Sequence, residues 1–284
     1  MTFPNIHGHV RASSAGPAPM QAGAPLGCIP LEARDALRDS VVAADSRSAE
    51  EMSLALFWRE LAQGRYRVAD DFFSRERCYL VLEPMTEGVL QPVTGRRLEI
   101  VEAVLSGLPQ KNVACDLHLA PSTIALNSRL ALESRGVNCK PSRAHPLLML
   151  AARVAVEGRR TFVRFSTVVS RDGKELRVLS AVRPDRSLEK QLPAAELAVI
   201  RRLIEGLSYV QIAAERGTAM RTIANQITAV FRRLRVSGRN ELVQRLFLEP
   251  TQSHRVSQPI TQTLSRQQVE SAREAWETSQ RVSA

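Results

Sequence analysis

The sequence predicts a mainly α protein with small β-hairpins (α+β), built as two tandem helix–hairpin–helix-turn-helix repeats. Three observations carry this prediction. Apolar residues recur at spacings of three and four over most of the chain, as one face of a helix requires. Two short stretches instead alternate apolar and polar residues on either side of a turn, the period of a strand. Residues 93–137 also align with residues 192–236 without a gap at an offset of 99. The identical pairs include Gly107/Gly206, Leu108/Leu207, Ala114/Ala213, Thr123/Thr222, Ile124/Ile223 and Val137/Val236. Most other apolar positions stay apolar, such as Val101/Ile200 and Val113/Ile212.

Composition narrows the class. Hydrophobic residues make up 44% of the 284-residue chain and charged residues 24%, as in an ordinary globular protein. Aromatics are only 5%, so the cores are expected to consist of Leu, Val, Ile and Ala. No run of eighteen apolar residues offers a membrane span, and the first residues offer no secretory signal. The four cysteines (Cys28, Cys78, Cys115 and Cys139) lack paired short spacings. Reduced thiols in a cytoplasmic protein are expected, without disulfides or zinc. Phosphate-cradling glycine motifs are absent. The histidines (His7, His9, His118, His145 and His254) are scattered. Neither an enzymatic activity nor a cofactor is expected.

The net charge of +10 is unevenly distributed. Residues 151–191 carry ten basic side chains against five acids, and residues 192–249 carry nine against five. Such a surplus suggests a polyanionic partner, most often nucleic acid.

The elements follow in order. Residues 1–47 form a disordered or weakly ordered segment, with Gly, Pro, Ala and Ser dominating 1–30. Residues 48–92 hold a helix (Leu54, Phe57, Trp58, Leu61) and a hairpin. The hairpin runs from Val68–Phe73 through a turn at Arg75-Glu76 to Cys78, Leu80 and Leu82. Residues 93–150 hold the first helical unit, ending in a helix marked by Leu148, Ala152 and Ala155. Residues 151–191 form a basic hairpin. Val163, Phe165, Thr167 and Val169 alternate on one arm, Asp172-Gly173 makes the turn, and Leu176, Val178, Ser180 and Val182 return. Gly64-Arg65 and Gly158-Arg159 precede the two hairpins alike. Residues 192–249 hold the second helical unit. Residues 250–284 form a polar tail with a short helix near Val269–Trp276.

The second unit is the cleaner copy. Leu197, Ile200, Leu203, Ile204 and Leu207 form one helical face, which Gly206 closes. Ser208-Tyr209-Val210-Gln211 reads as a capping box opening a short helix, and Gly217 turns the chain. A third helix runs from Ala219 to Leu234, burying Ile223, Ile227, Val230 or Phe231, and Leu234. A fourth follows Asn240. Short helix, glycine turn and second helix make the helix-turn-helix plan, whose later helix lies in the major groove. Its outward side carries Arg221, Ala224, Asn225, Thr228 and Arg232, with Thr222 and Arg233 beside them and no acid. Asn can bond adenine, Thr can meet a thymine methyl or a phosphate, and Arg can bind guanine or phosphate.

Leu192, Glu196, Val199, Gly206-Leu207-Ser208 and Ile212-Ala213 are followed by Thr222-Ile223, Ile227, Val230 and Leu234-Arg235-Val236. This pattern resembles the LuxR-type (GerE-like) DNA-binding domain of bacterial transcription regulators. Ala224, Gln226 and Ala219 depart from it, where the family favours a basic residue, His and a capping Ser. The resemblance implies a sequence-specific transcription regulator. Its partners would be double-stranded DNA, RNA polymerase and a second copy of the chain, with no membrane.

The first unit resembles the same domain with more changes. Thr94-Gly95-Arg96, Gly107-Leu108, Val113-Ala114 and Thr123-Ile124 fit, but Pro109 replaces the capping Ser. The outward side of its third helix reads Ser122, Ala125, Leu126, Arg129 and Glu133. Leu126 asks for a protein surface and Glu133 repels phosphate, so Ser122, Leu126 and Arg129 contact either DNA or protein. Two other readings stand beside the leading one: a protein-interaction or assembly module, and a non-specific nucleoid-associated protein binding through the basic hairpin.

Overall fold

A computed structural model describes residues 31–47, 49–86 and 88–248. The expected N-terminal coil of 1–30, the polar tail and the helix near Val269–Trp276 lie outside the described residues. The first unit and its neighbours comprise α1 (Leu31–Arg47), β1 (Glu50–Ser53), α2 (Leu54–Ala62), β2 (Tyr66–Phe73), β3 (Arg77–Pro84), α3 (Gly95–Leu105), α4 (Gln110–Asp116) and α5 (Pro121–Glu133). Then come α6 (Pro146–Glu157), β4 (Phe162–Val169), β5 (Glu175–Val182), α7 (Ala194–Ile204), α8 (Tyr209–Arg216), α9 (Met220–Leu234) and α10 (Arg239–Leu248). Short 3₁₀ turns lie at Pro141–Arg143 and Pro184–Leu188.

Both hairpins form where the alternation predicts them, but they are not separate small units. β3 pairs antiparallel with β5, joining them into one five-stranded sheet of order β1-β4-β5-β3-β2. The basic hairpin is thus central to the sheet. β1, absent from the sequence reading, extends the edge along β4. Its Glu50 and Glu51 are exposed, and charge on an edge strand discourages pairing with other chains.

The sheet is covered on both faces. Val163 and Leu179 face α2 and α6, with Val68, Leu80 and Leu82. Val168, Leu176 and Val178 face α1, with Tyr79 and Val81. The two alternating sets of the sequence, Val163 to Val169 and Leu176 to Val182, therefore lie on opposite faces of the hairpin, and Val169 is exposed.

Residues 31–47 are a second correction. Leu31–Arg47 is a helix, with Leu37 and Val41 buried against the sheet. Its apolar stripe is too narrow to read as a helix, and charge completes the attachment. Arg38 Nε donates to Asp70 Oδ2 at 2.8 Å, and Arg34 lies 3.1 Å from Oδ1. At the other end Asp45, 1% exposed, meets Arg77 at 3.2 Å and Arg164 at 3.6 Å, and accepts from Ser180 Oγ at 2.8 Å.

The main core runs from Leu54 to Val243 and takes in the second helical unit, with Val101, Leu105, Ala131 and Leu132 of the first. The first unit also has a small core of its own, made of Ile100, Val104, Val113, Ala114, Leu117 and Ile124. In α9 the buried residues are Ile223, Ile227, Val230 and Leu234. The positions 99 earlier, Ile124, Ser128, Ala131 and Arg135, are also buried. The first unit thus keeps the packing register with smaller or polar side chains. Left-handed backbone positions correspond too: Gly107 and Gly206, His118 and Gly217, Gly136 and Arg235. A Cβ at Gly206 would come within 2.7 Å of the Arg143 carbonyl, and one at Gly136 within 2.3 Å of the Val68 carbonyl.

His118 takes φ 53° where the second unit has glycine. A side chain in that region costs on the order of 1 kcal/mol or more. His118→Gly is therefore expected to stabilise the protein by about 1 kcal/mol, read as a higher urea midpoint.

His145, expected to be one of several scattered histidines, is buried at the start of α6. Its Nδ1 accepts from the Leu147 amide at 3.3 Å, its ring meets Phe73 at 5.1 Å, and its Nε2 has no partner among the described residues. Burial, aided by the charge of Arg239, pushes its pKa down to about 3. The unfolded chain takes up this proton near pH 6.5 and the folded chain does not. Stability should therefore fall as pH drops below about 6.5, by about 2 kcal/mol at pH 5 from this group. His145→Asn, which keeps a capping oxygen, should flatten that dependence in urea titrations at pH 7 and pH 5.

Candidate nucleic-acid interface

The second unit folds as its sequence requires. Ser208 and Gln211 form the expected capping box: the Ser208 amide donates to Gln211 Oε1 at 2.9 Å, and the Gln211 amide to Ser208 Oγ at 3.3 Å. α8 ends at Gly217, φ 59°, which turns the chain into α9. Ala219 offers no side-chain cap, so the first amides of α9 stay open.

With Ile223, Ile227, Val230 and Leu234 buried, Arg221, Thr222, Asn225, Thr228 and Arg232 are exposed on the opposite side, and Ala224 is half-buried between them. The Thr228 hydroxyl donates to the Ala224 carbonyl at 2.8 Å, which turns its methyl and lone pairs outward. Among the described residues, the side chains of Arg221, Asn225 and Arg232 have no intramolecular hydrogen bond or ion pair. Arg233 differs from the expectation. It meets Glu196 of α7 at 2.5 Å, so its charge is balanced and it ties the end of α9 to the start of α7.

An open concavity of about 600 Å³ continues this face, lined by Tyr209, Thr228, Phe231, Arg232, Arg235 and Glu241 among others. Arg235, which caps α9 at φ 53°, and Tyr209 were missed as site residues. Arg235 stood in the quoted sequence pattern, but only its backbone conformation places its side chain beside Arg232.

In the first unit, Ser122, Ala125, Leu126, Arg129 and Glu133 are exposed on α5, as expected. Leu126 is 46% and Leu130 39% exposed, so neither joins the two units together. Arg129 lies 3.7 Å from Glu133 on its own helix. Pro109 opens α4 without a side-chain cap.

The basic hairpin is less basic than its sequence. Arg164 pairs with Asp45, Lys174 with Glu83, Arg177 with Glu175, and Arg183 with both Asp185 and Glu205. Its surplus is partly balanced within the fold, by Asp45, Glu83 and Glu205 from outside the segment.

Residues 190–246 match the family model described as GerE, bacterial regulatory proteins of the luxR family. This stretch is one GerE-type helix-turn-helix domain. No second copy is detected at residues 93–150. No curated protein matches the chain. The GerE-type domain supports a DNA-binding transcription regulator. No helix among the described residues is long and apolar enough to cross a membrane.

Proposed function

We propose that the protein is a cytoplasmic, sequence-specific transcription regulator rather than an enzyme, reading the major groove mainly through residues 219–234. The observation that carries this is the outward side of α9. Arg221, Asn225, Thr228 and Arg232 stand together there, unpaired by any acid. Arg221 and Asn225 near the helix start reach base edges. Arg232 and Arg235 neutralise phosphates beside them. Its partner is double-stranded DNA, with RNA polymerase or a second chain joining at the promoter.

We further read residues 93–150 as a second, diverged helix-turn-helix unit. The common packing register and the matched left-handed positions 99 residues apart support this. The exposed Leu126 and Leu130 favour protein contact over DNA contact for that unit.

Selection from a random duplex library, followed by binding measured over a salt series, tests the reading. A single enriched motif whose affinity falls steeply with salt is expected. Salt-dependent binding without sequence preference would indicate a nucleoid protein, and no DNA binding at all an assembly module.

A further inference from the structure

The two halves of the chain are related by more than a sequence offset. At the centre of the sheet Leu80 pairs with Leu179, residues that lie 99 apart. On one side of this pair Val81 faces Val178; on the other Tyr79 faces Ser180. One step further, Leu82 faces Arg177 and Cys78 faces Ala181. Shifting both members of each pair by the offset, one up and one down, exchanges the two flanking pairs. This is the pairing pattern of a twofold axis between Leu80 and Leu179. The hairpins obey it: Asp71 faces Leu80 in the first, and Phe165 faces Leu179 in the second.

The helical units follow the same axis. The backbone at Gly107 lies against Asn240 and Gln244 of α10, and Gln244 Nε2 donates to the Ser106 carbonyl at 2.5 Å. At the matching place, Gly206 lies against Arg143 in the 3₁₀ turn leading to α6. Each unit thus rests on the last part of the other. α6 and α10 also meet, with Arg153 donating to Gln244. These are contacts of the kind two subunits make in a symmetric dimer, here within one chain.

The chemistry of the two outer faces is not symmetric. α9 and its cap carry Arg221, Arg232, Arg233 and Arg235. The matching residues are Ser122, Glu133, Ser134 and Gly136. Asn225 corresponds to Leu126, and the one outward cation of α5, Arg129, faces Glu133. Phosphate contacts supply much of the affinity of such a surface, so the loss of these cations removes its attraction to DNA.

We infer that the chain is a single-chain counterpart of a twofold dimer in which only one half contacts DNA, so one chain reads one asymmetric half-site. This rests on the proposed reading of α9. It also predicts the geometry of the silent half. Twofold-related helices address a duplex in opposite directions, so a restored α5 would read an inverted copy of the site, not a direct repeat.

The full chain is tested on duplexes bearing one copy of the selected motif, an inverted pair or a direct pair, at several spacings. Sedimentation counts the chains bound. The wild-type chain should bind a single motif one to one, and a second copy should add no more than the twofold statistical gain. The variant Ser122→Arg/Leu126→Asn/Glu133→Arg alters only exposed residues. It should bind an inverted pair at one spacing at least tenfold tighter than a single motif, still as one chain, and gain nothing comparable from a direct pair. Two wild-type chains binding an inverted pair cooperatively, well beyond the statistical gain, would overturn the inference. So would a variant that gains equally from direct pairs, or from none. If no motif is enriched, the reading of α9 fails and the inference with it. An enriched motif with the wrong stoichiometry or orientation overturns the inference alone.

Discussion

Arg239→Ala is expected to cost about 3–5 kcal/mol of stability, because several buried carbonyls lose their shared donor. Arg239 opens α10, is 8% exposed and has no acidic partner within hydrogen-bonding distance among the described residues. Backbone carbonyls hold it instead. Nε donates to Leu203 at 2.7 Å, and Nη2 to Ile204 at 2.7 Å and Ala144 at 3.0 Å. Nη1 donates to Ser142 at 3.0 Å. Leu203 and Ile204 are the last residues of α7, whose carbonyls lack helical partners. Ser142 and Ala144 lie where the first unit leads into α6. One guanidinium therefore caps a helix of the second unit and fastens it to the first. Burial pushes its pKa down to about 10, still charged at neutral pH. Alanine would leave the Ile204, Ser142 and Ala144 carbonyls without this donor, each costing about 1–3 kcal/mol if it stays dry, while Leu203 keeps the Gly206 amide at 3.0 Å. Lysine, a point donor with no fork, should recover only part of the loss. Urea unfolding of the three proteins measures both effects. A loss below 1 kcal/mol for Arg239→Ala would mean that water replaces the guanidinium.

Arg239 also marks the limit of the sequence. Periodicity exposed the three helices of each unit because their apolar faces repeat at 3.6 residues and are buried, those of α3 to α5 partly in a small core of their own. Capping was legible at Ser208 because the box is local, and α9's outward residues were legible because its inward ones are so regular. The joining of the hairpins was not, since β3 and β5 pair across about a hundred residues and neither strand is marked as central. α1 was missed because Asp45 and Asp70 look like surface acids until Arg77, Arg164, Arg34 and Arg38 are brought to them. The basic hairpin misled in part for the same reason, as Asp45, Glu83 and Glu205 come to it from other elements. Nothing in Ser-Gly-Arg-Asn announces that Arg239 is buried while Arg235 is not. That difference depends on the left-handed turn at Arg235, which re-aims the chain.

On the DNA side, Asn225→Ala and Arg232→Ala should separate two roles on one helix. Asn225 lies near the helix start, exposed and without an internal partner, and its amide matches the donor and acceptor edge of adenine. Its loss should cost about 1–3 kcal/mol on the selected motif, relax one position of that motif and leave binding to random duplex unchanged. Arg232 lies two turns further along, in the concavity with Arg235 and Tyr209. There it neutralises a phosphate. Its loss should weaken selected and random duplexes alike and lower the slope of log affinity against log salt by about 0.9. Neither change should alter the free energy of urea unfolding by more than about 0.5 kcal/mol, because both side chains are exposed and unpaired. Fluorescence anisotropy on the two duplexes across a salt series reads all of these quantities. Equal losses on both duplexes for Asn225→Ala would remove it from base reading. An unchanged salt slope for Arg232→Ala would place the phosphate contact elsewhere, with Arg235 the next residue to substitute.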